Sequence, residues 1–542
     1  MEEPILKIED ISVSFQQTGF CLRPLSFSIQ PGEIVSVIGE SGSGKSTLLK
    51  AVTCLSDKEA RVSGRVLLNG KDLLTLSAEE LRKRRFLDFS IVFQNSKEYL
   101  NPSTTLKEQL YEILGKKIPP KERQERATEI MESVGLSEKD LSKYPSALSG
   151  GMTQKFLIAS AIALSPSFIS LDEPTSSLDP EARGELADLI HKIRKESKAA
   201  FLLVTHDMSF ALKLGGRMLV LYEGMLCEVG APDAILDMPL HPYTRGLIGS
   251  SVEINIYRDI WGIRNVEKTS KSGCAFYDRC TQHTSVCKDD FPALIAARED
   301  KDRQVSCHRG GVVRVLEGKN ISKKFGSQQV LQKCDFHLFA GEFVSLIGHS
   351  GSGKTTFSNI LAGFLGNDGG DVLFDGRPAD FRQMHNIQNG VQLVLQDSDD
   401  ALNPHMTVFE AITEPLSVIV GKGDYSHEVE KLLRDVGLPY TKDFYGRRIH
   451  MLSGGQKQRV SIARALSVEP RVLIADEPTS MLDPSSTANL IHMLKGLQNS
   501  RGFSILMVTH DVMCAVKASD RIYKIDAMHI NQINSEQIVK SI

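Results

Sequence analysis

EIVSVIGESGSGKST, residues 33–47, decides the fold. An apolar run meets a turn made of Gly39, Glu40, Ser41, Gly42, Ser43 and Gly44, and Lys45, Ser46 and Thr47 open a helical pattern. The spacing G-x-x-x-x-G-K-[ST] has a physical reason. Glycines let the backbone approach a phosphate closely, successive N–H groups wrap it, and the following helix points its partial positive end at it. A lysine in this place reaches the outer phosphates, and the hydroxyl after it ligates magnesium. One such match is also compatible with an ordinary Gly/Ser turn. That reading loses its force because EFVSLIGHSGSGKTT, residues 342–356, repeats the arrangement with Gly348, His349, Ser350, Gly351, Ser352, Gly353, Lys354, Thr355 and Thr356.

The repetition extends through most of the chain. VFQNSKEYLNP (92–102) returns as VLQDSDDALNP (394–404), so Gln94 matches Gln396. ALSGGMTQK (147–155) returns as MLSGGQKQR (451–459), SLDEPTSSLDP as IADEPTSMLDP, and LLVTHD as LMVTHD. Counterparts stay 302 to 309 residues apart, too long a period for a solenoid and right for a duplicated domain. Short apolar strands separated by helical patterns imply an α/β fold with a largely parallel sheet covered by helices. Residues 105–135 and 407–436 read as helical and suggest an inserted helical part in each copy.

Each copy carries a full set of groups for phosphoryl chemistry. Asp172 and Asp476 end buried strands, where a carboxylate holds magnesium, and Glu173 and Glu477 follow them, placed to orient or deprotonate an attacking water. His206 and His510 follow apolar strands in Thr-His-Asp and are assigned to the γ-phosphate. Gln94 and Gln396 draw their case from place in the order, with contact to metal and water as the expected role. Ser149, Gly150 and Gly151, with Ser453, Gly454 and Gly455, open a further helix and make a second phosphate-binding end.

With these motifs in place, the sequence resembles the ATP-binding cassette (ABC) ATPases over nearly all of both halves. The resemblance implies two P-loop NTPase nucleotide-binding domains, each a mainly parallel sheet core with an antiparallel β part and a helical subdomain. It implies ATP and Mg²⁺ as ligands, with Ser46, Gln94 and Asp172, and Thr355, Gln396 and Asp476, around the metal. In that family the P-loop of one cassette and the LSGG of the other sandwich one ATP, so Lys45 would work with Ser453 and Lys354 with Ser149. Phe15 and Phe325 occupy the place of the family's adenine-stacking aromatic, with a core phenylalanine as the alternative. The first signature departs from the common SGGQxQR by Met152 and Lys155, and lysine for arginine weakens bidentate contacts.

Between the copies stand MPLHPYTRGLIGS (238–250) and GCAFYDRCTQHTSVCKDDFPAL (273–294), then VSCH (305–308). This resembles the C-terminal extension of the oligopeptide, dipeptide and nickel importer ATPases. The expected domains are therefore 1–235, the first cassette; 236–310, extension and linker; and 311–542, the second cassette. Cys274, Cys280, Cys287 and Cys307 are separated by five, six and nineteen residues and lack the short knuckle usual for zinc. The resemblance suggests a four-iron four-sulfur cluster, with zinc or unligated thiols as the alternatives. The other cysteines, Cys227 among them, read as small hydrophobes.

The 542 residues suffice for several domains, and a net charge of -3 with 24% charged residues gives no field for nucleic acid. Basic LRKRRF (81–86) reads as a solvated helix face. No stretch is apolar enough to cross a bilayer and the first residues lack export features, so a protein kept in the cytosol is expected, and the importer resemblance implies a peripheral place on the cytoplasmic face of the membrane. Its partners would be two integral-membrane permease subunits, fed by an extracytoplasmic solute-binding protein, for import of peptides, a nickel chelate, glutathione or a related solute. The competing class is a soluble tandem cassette protein acting on ribosomes or translation factors, which generally has a long charged helical linker in place of HPYT and spaced cysteines.

Overall fold

The computed structural model describes residues 3–541 except 16, 18, 95, 177, 268, 270, 271, 299, 385–388 and 481. Contacts divide the chain into two units. The first comprises Met1–Ile254, Ser270–Phe276 and Val286–Gly311; the second comprises Asn255–Thr269, Tyr277–Ser285 and Val312–Ile542.

In the first unit, Ile34–Ile38, Phe168–Asp172 and Ala200–Thr205 are buried at every position, as strands covered on both faces must be. They sit inside a sheet whose described strands run in the order Leu294–Ala296, Gln304–Ser306, Met225–Gly230, Arg217–Tyr222, Ile34–Ile38, Ala200–Thr205, Phe168–Asp172, Phe89–Val92. The stretch from Arg217–Tyr222 to Phe89–Val92 is parallel. A separate antiparallel sheet contains Leu6–Phe15, Cys21–Ile29 and Ala60–Leu68. Helices Leu106–Leu114 and Arg123–Ser133 pack with Gly150–Ile162 around fully buried Phe156. Segment 236–310 is shared between the units, and its strands Leu294–Ala296 and Gln304–Ser306 extend the first unit's sheet.

The second unit repeats the plan. Its larger sheet orders Val391–Val394, Val472–Asp476, Ser504–Thr509, Phe343–Ile347 and Arg521–Asp526 in parallel, and antiparallel His529–Ile533 closes the edge. Helices Val408–Ile419 and Ser426–Asp435 pack with Gly454–Leu466. No helix among the described residues is long and apolar enough to cross a membrane. Helix Ala78–Arg84, which carries most of LRKRRF, is held by a Ser77–Glu80 capping box and buries only Leu81. It is the solvated face expected.

Candidate nucleotide sites

In the first unit the glycine-rich turn leaves strand Ile34–Ile38 and enters helix Lys45–Val52. Gly44 has φ 105° and Gly42 φ 79°, values that an L side chain rarely adopts. A Cβ at Gly39 would lie 2.1 Å from the Leu221 carbonyl oxygen, so this position admits no side chain. Lys45 Nζ, folded back over the loop, donates to the carbonyls of Gly39 (2.7 Å) and Glu40 (2.9 Å). Burial lowers its pKa, opposed by Glu173 and Asp172. Those two acids are the charges a cation placed here must live with.

Strand Phe168–Asp172 brings Asp172 to the loop, where Ser46 Oγ donates to its Oδ1 at 3.4 Å. Burial, and then the Glu173 charge, hold the Asp172 carboxyl above the usual range. Glu173 turns away from the strand with φ 46°, its N–H fixed to Val204 O at 2.8 Å. A left-handed glutamate stores on the order of 1–3 kcal/mol of strain, and it aims the carboxylate at His206, whose Nδ1 lies 2.7 Å from Glu173 Oε2. The residues flanking the histidine fix the turn: Thr205 Oγ1 accepts from Asp207 N (3.0 Å) and Asp207 Oδ1 caps the next helix at Phe210 N (2.8 Å). These groups face a cleft of about 610 Å³ lined by Phe15, Phe20, Lys45, Gln94, Glu173 and His206, among others.

The second unit builds the same constellation. Lys354 Nζ donates to Gly348 O (3.0 Å) and His349 O (3.1 Å) and stands 3.7 Å from Glu477 Oε1. Glu477 again has positive φ, 42°, with its N–H on Val508 O at 2.9 Å. His510 Nδ1 and Gln396 Nε2 reach its Oε2 at 3.2 and 3.5 Å. Burial raises the Asp476 carboxyl, opposed by the Thr355 hydroxyl. Asp476 Oδ1 is buried with no hydrogen-bond partner, an orphan acceptor that suits a cation. Phe325 is exposed, with Lys323 Nζ 5.6 Å from its ring centroid.

The signature serines cap helices in both units. Ser149 Oγ accepts from Met152 N (3.3 Å) and Ser453 Oγ from Gln456 N (3.4 Å). Residues 149–151 line a cleft with Lys155 and Glu185, separate from the Lys45 cleft. The unusual Lys155 forms an ion pair with Glu185 at 2.7 Å. Phe20 escaped sequence reasoning. Its ring lies 6.4 Å from that of Phe15 across the hairpin tip and closes on Gly44; only the hairpin between the two aromatics could have signalled it.

The four expected cluster thiols are not gathered into a ligand set. The described residues contain no group of three or more His, Cys, Asp or Glu able to hold a metal. Burial pushes the Cys274 thiol up to about 11, with Cys287 and Cys307 adding to it. Fully buried Cys227, read as a bystander, lies in the electrostatic neighbourhood of Cys274 and Cys307.

Comparison with known proteins agrees with this geometry. The ABC transporter family matches residues 22–176 and 331–480, and the oligopeptide/dipeptide transporter C-terminal region matches 227–287. The glutathione import ATP-binding protein GsiA of Escherichia coli (strain K12) is 32% identical over 98% of this chain and 85% of its own length. The peptidoglycan transport ATP-binding protein YejF of Agrobacterium fabrum is 32% identical over 94% of this chain and 89% of its own. Among solved structures, cbiO1 from Clostridium perfringens is 25% identical over 42% of this chain and 91% of its own, with a TM-score of 0.38.

Proposed function

Since the chain belongs to the ABC transporter family, we propose that it is the ATP-hydrolysing subunit of an importer, with two cassettes in one polypeptide that power uptake through partner permeases. The observation that carries this is the complete Lys, Asp, Glu and His constellation built twice, on either side of a region matching the oligopeptide/dipeptide transporter extension. The matches and relatives give no support to the ribosome-acting alternative.

Lys45 and Lys354 exchange loop carbonyls for phosphate oxygens. Phe15 and Phe325 stack the adenine. Ser46, Asp172 and Gln94 hold Mg²⁺ in the first cassette, and Thr355, Asp476 and Gln396 in the second, a donor set of oxygens that suits this hard cation. Held by these residues, Mg²⁺ would supply neutralisation of the charge on the transferring phosphoryl group. Glu173 and Glu477 accept the proton of the attacking water, and His206 and His510, already on those carboxylates, hold their orientation and reach the γ-phosphate. Ser149–Gly151 and Ser453–Gly455 supply N–H groups at helix starts to the ATP of the opposite cassette.

The finer assignments are two integral-membrane permeases, an extracytoplasmic binding protein, a site on the cytoplasmic face of the membrane, and domains of 1–235, 236–310 and 311–542. The cargo class, a small peptide-like solute, follows the relatives named for glutathione and peptidoglycan. An iron–sulfur role for Cys274, Cys280, Cys287 and Cys307 rests on spacing and resemblance; colourless, iron-free protein after anaerobic purification, without absorbance near about 400 nm, removes it. The function is tested by isolating the chain from membranes of its own host. Two multispanning proteins should co-purify, and ATPase activity should rise when peptide-loaded binding protein is added to the reconstituted complex. Sedimentation with ribosomes and no membrane partner would overturn the reading.

A further inference from the structure

The extension's tyrosine reaches the first P-loop. Tyr243 is fully buried, 203 residues beyond Glu40, and its hydroxyl accepts the Glu40 backbone N–H at 2.8 Å. Glu40 is the residue whose carbonyl takes one of the two Lys45 hydrogen bonds. One residue of the loop is thus held from both sides, its amide by Tyr243 and its carbonyl by the phosphate-binding lysine.

The tyrosine is in turn fixed by a chain of buried polar groups. Its own N–H is accepted by His241 Nδ1 at 3.1 Å. The N–H groups of Leu240 and His241 donate to Glu228 (3.0 and 2.8 Å), and Arg303 completes that carboxylate at 2.6 Å. The Tyr243 ring packs tilted against Tyr222, with centroids 4.5 Å apart, and edge-on against Phe276 at 5.6 Å, two residues from Cys274. The hairpin turn between Tyr222 and Met225 also touches the loop, with Gly224 N donating to Ser43 O at 2.8 Å. HPYT occurs once in the sequence, at 241–244, so this support serves one of the two P-loops.

We propose that Tyr243 is a positioning residue for the first nucleotide site: its hydroxyl sets the Glu40 peptide, and through it the resting place of Lys45, so that HPYT couples the extension to ATP binding at this cassette alone. The inference rests on the nucleotide-site reading above. Tyr243→Phe removes one oxygen and keeps the ring packing, taking this acceptor from the part-buried Glu40 N–H. Binding of a fluorescent ATP analogue to the full chain in a Lys354→Ala background should weaken about twofold to tenfold, the range expected for one lost hydrogen bond to a part-buried amide. The same substitution in a Lys45→Ala background should leave the affinity of the second site unchanged, which a general loss of folding would not do. Equal affinity with and without the hydroxyl, or equal weakening at both sites, overturns the assignment while Lys45→Ala still abolishes first-site binding. If Lys45→Ala also has no effect, the nucleotide-site reading falls with it.

Discussion

His241 sits where no water can solvate a charge. Burial lowers its pKa to about 3, and its Nδ1 must stay unprotonated to accept the Tyr243 N–H. In the unfolded chain an imidazole titrates near about 6.5. Between these two values the unfolded state binds the extra proton, so the contribution is intact above the unfolded value and is lost as pH falls toward the folded one. Wild-type protein should therefore lose thermal stability between about pH 6.5 and about pH 5 more steeply than His241→Asn, whose amide oxygen keeps an acceptor for Tyr243 without a proton to bind. Parallel Tm-against-pH curves would show that this histidine does not carry the dependence. At this scale the sequence was legible wherever the chemistry is local. Lys45, Glu173 and His206 line the first cleft, with Asp172 held beside it by Ser46, and Lys354, Glu477 and His510 stand together in the second unit. Phe20 and Tyr243 were not legible, because what makes them matter is a neighbour supplied by the fold: Phe15 across a hairpin tip for one, the amide of Glu40 for the other.

The helices at 105–135 and 407–436 were legible for a related reason. Each group opens on a capping box written in four consecutive residues, Thr105 with Glu108 and Thr407 with Glu410, and local hydrogen bonds of this kind need no tertiary partner. The signature helices carry the same device unequally. Ser453 has Gln456 three residues on and closes a reciprocal box; Ser149 has Met152 there and makes the single bond. Ser149→Ala should cost about 1 kcal/mol in urea unfolding of the first unit, the usual worth of an N-cap, against about 3–5 kcal/mol for Phe156→Ala on the same helix. If both substitutions cost the same, Ser149 is more than a cap. The Lys155–Glu185 pair is largely solvated, at 30% and 54% exposure, and such pairs contribute under about 1 kcal/mol. Lys155→Arg should therefore leave unfolding almost unmoved, and a larger shift would point to a buried contact made by the arginine. Strands Leu294–Ala296 and Gln304–Ser306 were unreadable in advance. They are three residues each: Gln304–Ser306 pairs with the distant strand Met225–Gly230 in the register Glu228–Val305, and Leu294–Ala296 pairs in turn with Gln304–Ser306 at the edge of the sheet.

Two pockets with the same residues can turn over in two ways, and a whole-molecule rate distinguishes them. Were they independent, removing one catalytic acid would leave about half the rate. The importer function proposed above argues otherwise, because on that reading partner permeases are moved by one concerted step to which both sites contribute. The protein also supports its pockets unequally, with HPYT bracing the Glu40 loop of the first and Glu477 drawn to within 3.7 Å of Lys354 in the second. Unequal pockets that must fire together give a chain as slow as its slower site. Glu173→Gln and Glu477→Gln should then each depress steady-state phosphate release by about a hundredfold, the scale of a lost general base. The double variant should fall little further, since residues acting as one unit are not additive. A single variant at half the wild-type rate would mean that the cassettes hydrolyse separately, and one at the full rate would remove its glutamate from the chemistry. Either result would leave the duplicated fold intact while breaking the link between duplication and a single power stroke.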